Sequence, residues 1–350
     1  MTVIPNTLFI KNDMTSHLHK RDIVYDVMKG FLILLVVIGH TGLLKENNTI
    51  LFWFHVPCFF MISGALQKWY KIRKGGQKYI ANKARAYALP YFAWCLLFYL
   101  IFLPESPIKY IGRVIYGGSL NSLIFTYPFW FINALFIGTL VFGFFYWLIE
   151  VRRWFIYVSY AIIIAYLFLR YLFSFLQGFE LPWSIEIVPY LCIYFVEGIY
   201  SNKIISYFKT ENKIFLPVVE IICGVIGISL IIFYQFGLFD YVLNVKDNAY
   251  SCFWGDIFIP IIFFFFIRLI AFLLSKIPLL EYLFVLMGRN SMTIMFTHAA
   301  LFCIPSILGL NTPIVKAIFA IVVGVLIGET IGKNKYLTLL FTGKLQSKLT

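Results

Sequence analysis

The sequence predicts an all-α protein set in a membrane: a polytopic helical bundle of about ten spans, with both chain ends on the cytoplasmic side. Three observations carry that prediction. Of the 350 residues, 61% are hydrophobic and 13% are charged, about half the charge of a typical soluble domain. Apolar stretches recur along the chain, each close to the ~20 residues that a spanning helix needs. The basic residues lie between these stretches and are unevenly shared between the two sets of loops. A mean hydropathy of +0.86 excludes a disordered chain, a collagen, a coiled coil and a disulfide-stapled secreted scaffold.

The first 28 residues are polar and hold Lys11, His17, His19, Lys20 and Arg21. No apolar run precedes them, so a cytoplasmic N-terminal segment, 1–28, is expected rather than a cleaved signal peptide. The spans are expected near 30–44, 50–67, 87–103, 129–149, 154–172, 185–200, 214–234, 255–273, 291–308 and 313–332. They form one membrane domain, 29–332. The apolar piece 277–287 is short enough for a re-entrant or interfacial segment. Residues 333–350 make a short basic cytoplasmic tail with Lys333, Lys335, Lys344 and Lys348.

Orientation comes from the loops. Segments 1–29, 68–85, 150–153, 201–213, 268–290 and 333–350 hold 23 of the 29 Lys and Arg residues. The positive-inside rule assigns that set to the cytoplasm. The other six are Lys45, Lys109, Arg113, Arg170, Lys246 and Lys316. The same clustering explains the net charge of +13 without nucleic acid, which would need a basic face on a soluble domain. The six cysteines form no CxxC pair and no zinc spacing, so they are expected to be free thiols and no metal is expected.

Ionisable residues inside spans carry the functional reading, because they are costly there. Lys29 and His40 are eleven residues apart, hence on one helix face and about 16 Å apart along the axis. A snorkelling lysine and an interfacial histidine satisfy composition equally well. His55 opens the next stretch, and a short loop between antiparallel helices would hold it at a depth similar to His40. Two imidazoles in an apolar site suit proton transfer. The densest basic run follows, Lys68, Lys71, Arg73, Lys74, Lys78, Lys83 and Arg85. Topology accounts for part of it, and a polyanionic cofactor at the inner surface would account for the rest.

Five blocks, in order over roughly residues 20–300, resemble the transmembrane acyltransferase-3 family. They are Lys29-x10-His40; Phe54-His55-Val-Pro57-Cys-Phe-Phe-Met-Ile-Ser63-Gly64; Lys83-Ala-Arg85 running into Pro90-Tyr91; Trp130-Phe131-Ile-Asn133; and Gly288-Arg-Asn290-Ser291 running to His298. Two positions depart from the family pattern. Lys29 stands where Arg is commoner and lacks the bidentate phosphate fork, and Lys83-x-Arg85 replaces an Arg-x-x-Arg pair.

The resemblance implies a multi-pass enzyme of the bacterial inner membrane. Such an enzyme takes an acetyl or other acyl group from cytoplasmic acyl-CoA and passes it to a hydroxyl of a surface polysaccharide or lipid-linked sugar. The polysaccharide and fucose O-acetylase branch is the nearest in tone. On that reading His40 is catalytic, with His55 or Ser63 orienting it or stabilising the oxyanion. Lys29, Arg73, Lys83 and Arg85 hold the CoA, and Trp130, Asn133 and His298 line the acceptor pocket. The competing reading is a secondary transporter or glycan flippase, which expects interrupted helices at matching positions in two halves; no such symmetry is visible in the sequence.

Overall fold

The computed structural model describes residues 22–44, 48–118, 123–152, 154–172, 180–211 and 214–345. Segment 1–21, which holds most of the expected N-terminal segment, lies outside the described residues. So do the loop residues 45–47 and 173–179 and the end of the tail, 346–350.

The fold is a helical bundle with one small hairpin. Helix α1 spans Ile23–His40, α2 Asn48–Phe52 and α3 His55–Leu66. A 3-10 turn, Trp69–Lys74, leads to α4, Gly76–Lys83; a π-helical turn at Ala84–Ala88 then runs into α5, Leu89–Phe102. Next come α6 (Pro107–Tyr116), a 3-10 turn at Tyr127–Phe129, α7 (Trp130–Val151), α8 (Phe155–Leu172), a 3-10 segment at Pro182–Ile187, α9 (Val188–Glu211) and α10 (Phe215–Gln235). The hairpin pairs β1, Leu243–Asn244, with β2, Ala249–Tyr250, in antiparallel register. The chain closes with α11 (Phe253–Leu274), α12 (Pro278–Arg289), α13 (Ser291–Leu301), α14 (Cys303–Ile307), α15 (Pro313–Gly332) and α16 (Lys335–Thr342).

Seven stretches among the described residues are long and apolar enough to cross a membrane, fewer than the ten expected. The difference has local causes. The stretch expected at 291–308 is broken into α13 and α14 at Phe302. Tyr157–Arg170 is apolar but short, and α9 ends in a polar, charged half with Lys203, Lys209 and Glu211. The segment expected to be re-entrant or interfacial is a helix of its own, α12. The first helix begins at Ile23 rather than near 30, capped by the Asp22 carboxylate, which accepts from the Val24 N–H at 3.1 Å.

Helix α1 sits in the middle of the bundle, against α3, α11, α12, α13 and α15. Apolar side chains alone cannot hold such a helix, because lipid tails are as apolar as leucine; close backbone packing has to contribute. Gly30 and Gly288 supply it where α1 crosses α12. A Cβ at Gly30 would lie 2.0 Å from the Phe284 carbonyl oxygen, and one at Gly288 1.9 Å from that of Asp26. The α3–α9 crossing repeats the device, with Gly64 on the Phe195 backbone and Gly198 on that of Met61. Outward faces stay apolar, as on α10, where Ile221, Val225, Ile228 and Ile232 are exposed.

Two of the buried acids have side-chain partners. Glu220 on α10 is bonded to Arg268 on α11, and both side chains are almost fully buried. Asp256, on the first turn of α11, is 1% exposed; its carboxylate accepts from the Tyr241 hydroxyl at 2.9 Å and from that of Tyr190 at 3.5 Å. Cys58, Cys95 and Cys192 are buried free thiols. Cys252 is exposed and caps α11, its sulfur accepting from the Gly255 N–H at 3.4 Å.

Gly198→Val should force α9 off α3, because its Cβ would fall 1.9 Å from the Met61 oxygen. A loss of about 1–3 kcal/mol is expected, read as a lower unfolding temperature in detergent. Gly332→Ala, with nothing within 4 Å, should leave that temperature unchanged. Arg268→Met alone should cost about 3–5 kcal/mol by stranding the Glu220 charge, and the Glu220→Leu/Arg268→Met double variant should be milder, by the same measurement.

Candidate active site

His40 is the last residue of α1. The helix stops there because Thr41 turns its hydroxyl back onto the Ile38 carbonyl at 2.8 Å and Gly42 takes a positive φ of 77°. The ring is half-buried. Its aromatic neighbours among the described residues are Tyr127, edge-on with centroids 4.9 Å apart, and His298, stacked at 5.4 Å with 24° between the planes. Tyr127 and His298 are also edge-on to each other, at 6.2 Å.

His298 lies on α13 and is 0% exposed. Its Nδ1 is 3.0 Å from the Ile294 carbonyl oxygen one turn back. A carbonyl can only accept, so the proton sits on Nδ1 and Nε2 presents a lone pair. That Nε2 is buried with no hydrogen-bond partner among the described residues. Leaving such an atom unpaired costs about 1–3 kcal/mol. The two rings therefore form a stacked pair of imidazoles, one wholly enclosed and one partly exposed.

Tyr127 is delivered by the 3-10 turn ahead of α7, which Pro128 rigidifies. Lys246 lies beyond it, its Nζ 5.6 Å from the centre of the Tyr127 ring. It belongs to the tip between β1 and β2. The tip is closed by Asn244, whose amide donates to the Asp247 carboxylate at 2.7 Å, and by Asn248 at φ 59°.

The other expected site residues are spread more widely. His55 is buried; its Nδ1 donates to the Leu51 carbonyl, and its ring neighbour is Phe52 at 5.3 Å. The connection expected to be a short loop contains α2, and His40 stacks on His298 rather than on His55. Ser63 donates to the Phe59 carbonyl at 3.0 Å, two turns along α3 from His55 and outside the histidine cluster. Trp130 and Asn133 lie on the first turn of α7, next to Tyr127. The Asn133 carbonyl accepts from the Gly118 N–H at 3.3 Å, and its Nδ2 has no partner among the described residues.

The basic candidates lie elsewhere. Lys29 is 2.7 Å from the Asp26 carboxylate on the same helix. Arg73 is exposed on the 3-10 turn after α3. Lys83 donates to Gln67 and sits 5.2–5.8 Å from the ring centres of Trp69, Tyr79 and Tyr87. Arg85 donates to Asn82 at 2.8 Å, and its buried Nε has no partner among the described residues. Tyr79 of this cluster packs on Gly143, thirteen residues along α7 from Trp130, or about 20 Å by helix rise. Lys83 and Arg85 thus group together, away from the histidines.

Two participants escaped the sequence reading. Tyr127 stood one turn before the Trp130 block, and a tyrosine is unremarkable in a chain with 23 of them. Lys246 carried a usable signal: it is one of the six Lys and Arg residues outside the cation-rich segments.

Apolar helices enclosing a histidine pair at the end of the central helix define a multi-pass membrane protein with a polar centre at one end of its bundle. The chain belongs to the acyltransferase-3 family, whose acyltransferase domain matches residues 22–330. It is similar to the nodulation protein NolL of Mesorhizobium japonicum, 33% identical over 132 residues, covering 34% of this chain and 35% of that protein. It is also similar to NolL of Sinorhizobium fredii, 36% identical over 90 residues, covering 23% and 25%. The matched stretch thus spans about a third or less of these curated relatives. No solved structure matches the chain.

In a His17→Gln/His19→Gln background, diethyl pyrocarbonate should modify one histidine of the folded protein rapidly. The ultraviolet carbethoxyhistidine signal should vanish in His40→Gln and persist in His298→Gln. Rapid modification of His298 instead would contradict its enclosure.

Proposed function

We propose that the protein is an O-acyltransferase of the bacterial inner membrane. It moves an acyl group, acetyl by preference, from cytoplasmic acyl-CoA to a hydroxyl of a surface polysaccharide or of a lipid-linked sugar precursor. The observation that carries this reading is the His40–His298 pair in a chain of the acyltransferase-3 family.

His40 is the general base. It takes the proton of the acceptor hydroxyl as that oxygen attacks the thioester carbonyl. The carbonyl electron pair moves onto oxygen and then returns, the carbon–sulfur bond breaks, and the imidazolium gives its proton to the departing CoA sulfur. The products are the ester and free CoA. His298 stacks against the base and fixes its ring plane, and Tyr127 meets it edge-on. Both limit the orientations His40 can adopt, which is where positioned bases gain rate.

Support for the donor side is chemical. Lys83 and Arg85 offer cations among aromatic rings, and Arg85 keeps a buried N–H unsatisfied, as an arm awaiting an anion would. Lys29 is already neutralised by Asp26, so it contributes less to a phosphate site.

The test is base-labile acetate on cell-surface glycans at equal membrane levels of each variant. His40→Ala should lower it at least about 100-fold, the low end of general-base contributions, with a smaller loss for His298→Ala. Acetate unchanged by His40→Ala removes His40 from catalysis. Acetate unchanged by deletion of the whole chain moves the protein to the transporter class.

A further inference from the structure

We propose that Lys246 is the residue that selects the acceptor, by binding an oxyanion carried on the acceptor sugar. The oxyanion is a carboxylate on the ring or a phosphate at its linkage. This inference rests on the acyl-transfer reading above.

The argument starts from placement. Among the described residues Lys246 is the one cation that reaches the Tyr127 ring, and Tyr127 is edge-on to the proposed base, His40. Lysine, histidine and histidine are therefore linked through one phenol ring. The cation is only half-buried, so a ligand can reach it. Among the described residues no carboxylate lies within ion-pair distance of it. The adjacent acid, Asp247, is occupied by the Asn244 amide at 2.7 Å.

The lysine is also held in place. Its neighbour Val245 is 2% exposed and Asn248 is 1% exposed, so the hairpin tip is anchored on both sides of it. Arg170, buried under the hairpin, donates to the Asn248 carbonyl at 3.1 Å and lies 4.9 Å from the centre of the Tyr250 ring. Tyr250 stacks on Tyr190 at 4.0 Å with the rings nearly parallel. Trp53 donates to the Tyr241 carbonyl at 3.1 Å at the root of the same hairpin. This much anchoring is more than a solvated surface lysine needs.

The chemistry of the cation points to an anion. The Tyr127 ring lies near both groups, its centre 5.6 Å from Nζ and 4.9 Å from the centre of the His40 ring. A sugar ring at Tyr127 reaches both, with one hydroxyl at His40 and a charged substituent at Lys246. Sugar stacking on a phenol face with a charge-assisted contact at one edge suits these groups.

The probes are methyl β-D-glucuronide, its neutral partner methyl β-D-glucoside, and inorganic phosphate, with protein in lipid nanodiscs. Saturation-transfer NMR reads the sugars and the phosphorus-31 line width reads phosphate. The wild type should bind at least one anion more tightly than the glucoside. Preference for glucuronide points to a ring carboxylate, and preference for phosphate to a linkage phosphate. Lys246→Gln should weaken that anion about tenfold, the worth of one hydrogen bond to a charged group. Glucoside should be unaffected, and Lys246→Arg should restore binding. His40→Ala should leave anion binding intact, so loss of acyl transfer and loss of the anion site are read separately. In cells, Lys246→Gln should lower surface acetate while Lys246→Arg keeps it. A wild type that binds neither anion, or a Lys246→Gln protein that binds them equally well, overturns the proposal whatever becomes of the acyl-transfer reading.

Discussion

The crossing of α1 and α12 is the contact on which the rest of the bundle depends. Between helices in lipid there is little hydrophobic gain to be had, so proximity has to come from backbone surfaces that fit. Gly30 and Gly288 give α1 and α12 such surfaces, and the opposing atoms are carbonyl oxygens that no larger residue could clear. With α1 seated there, its remaining sides meet α3, α11, α13 and α15. Its C-terminal residue, His40, then arrives beside α13. The stacking of His40 on His298 is thus set by packing some three turns away from either ring.

The candidate site is built from element ends rather than from one element. Helix α1 contributes its final residue, α13 a histidine near its end, a 3-10 turn contributes Tyr127, and a hairpin tip contributes Lys246. Each piece is held by something other than the site: Thr41 and Gly42 end α1, Pro128 stiffens the turn, and the Arg170–Tyr250–Tyr190 stack holds the hairpin. Preorganisation of this kind lets a weak base act in a fixed geometry. Glu197, by contrast, has a buried carboxylate with no hydrogen-bond partner among the described residues, and no role follows for it here.

The helical, membrane-embedded class was legible because composition and span length follow directly from the thickness of a bilayer. The family was legible because short blocks such as Lys29-x10-His40 keep their order. Span ends were less so. Hydropathy does not register the break at Trp53–Phe54 between α2 and α3, or the one at Phe302, since every residue involved is apolar. The His40–His298 contact was hidden for a different reason: residues so far apart in sequence meet through packing, and no periodicity encodes that. His55 does not stack on His40 as His298 does, and its Nδ1 is committed to Leu51 one turn back.

Helix α16 has a consequence for the basic turn. It lies against α5 and the π-helical turn. Gly343, at φ 65°, abuts the Arg85 carbonyl where a Cβ would come within 2.3 Å, and Trp94 donates to the Phe341 carbonyl at 3.2 Å. The backbone that carries Arg85 is thus braced by residues far along the chain. A side chain added at Gly343 would be felt at Arg85, although the two positions share no element and no sequence block.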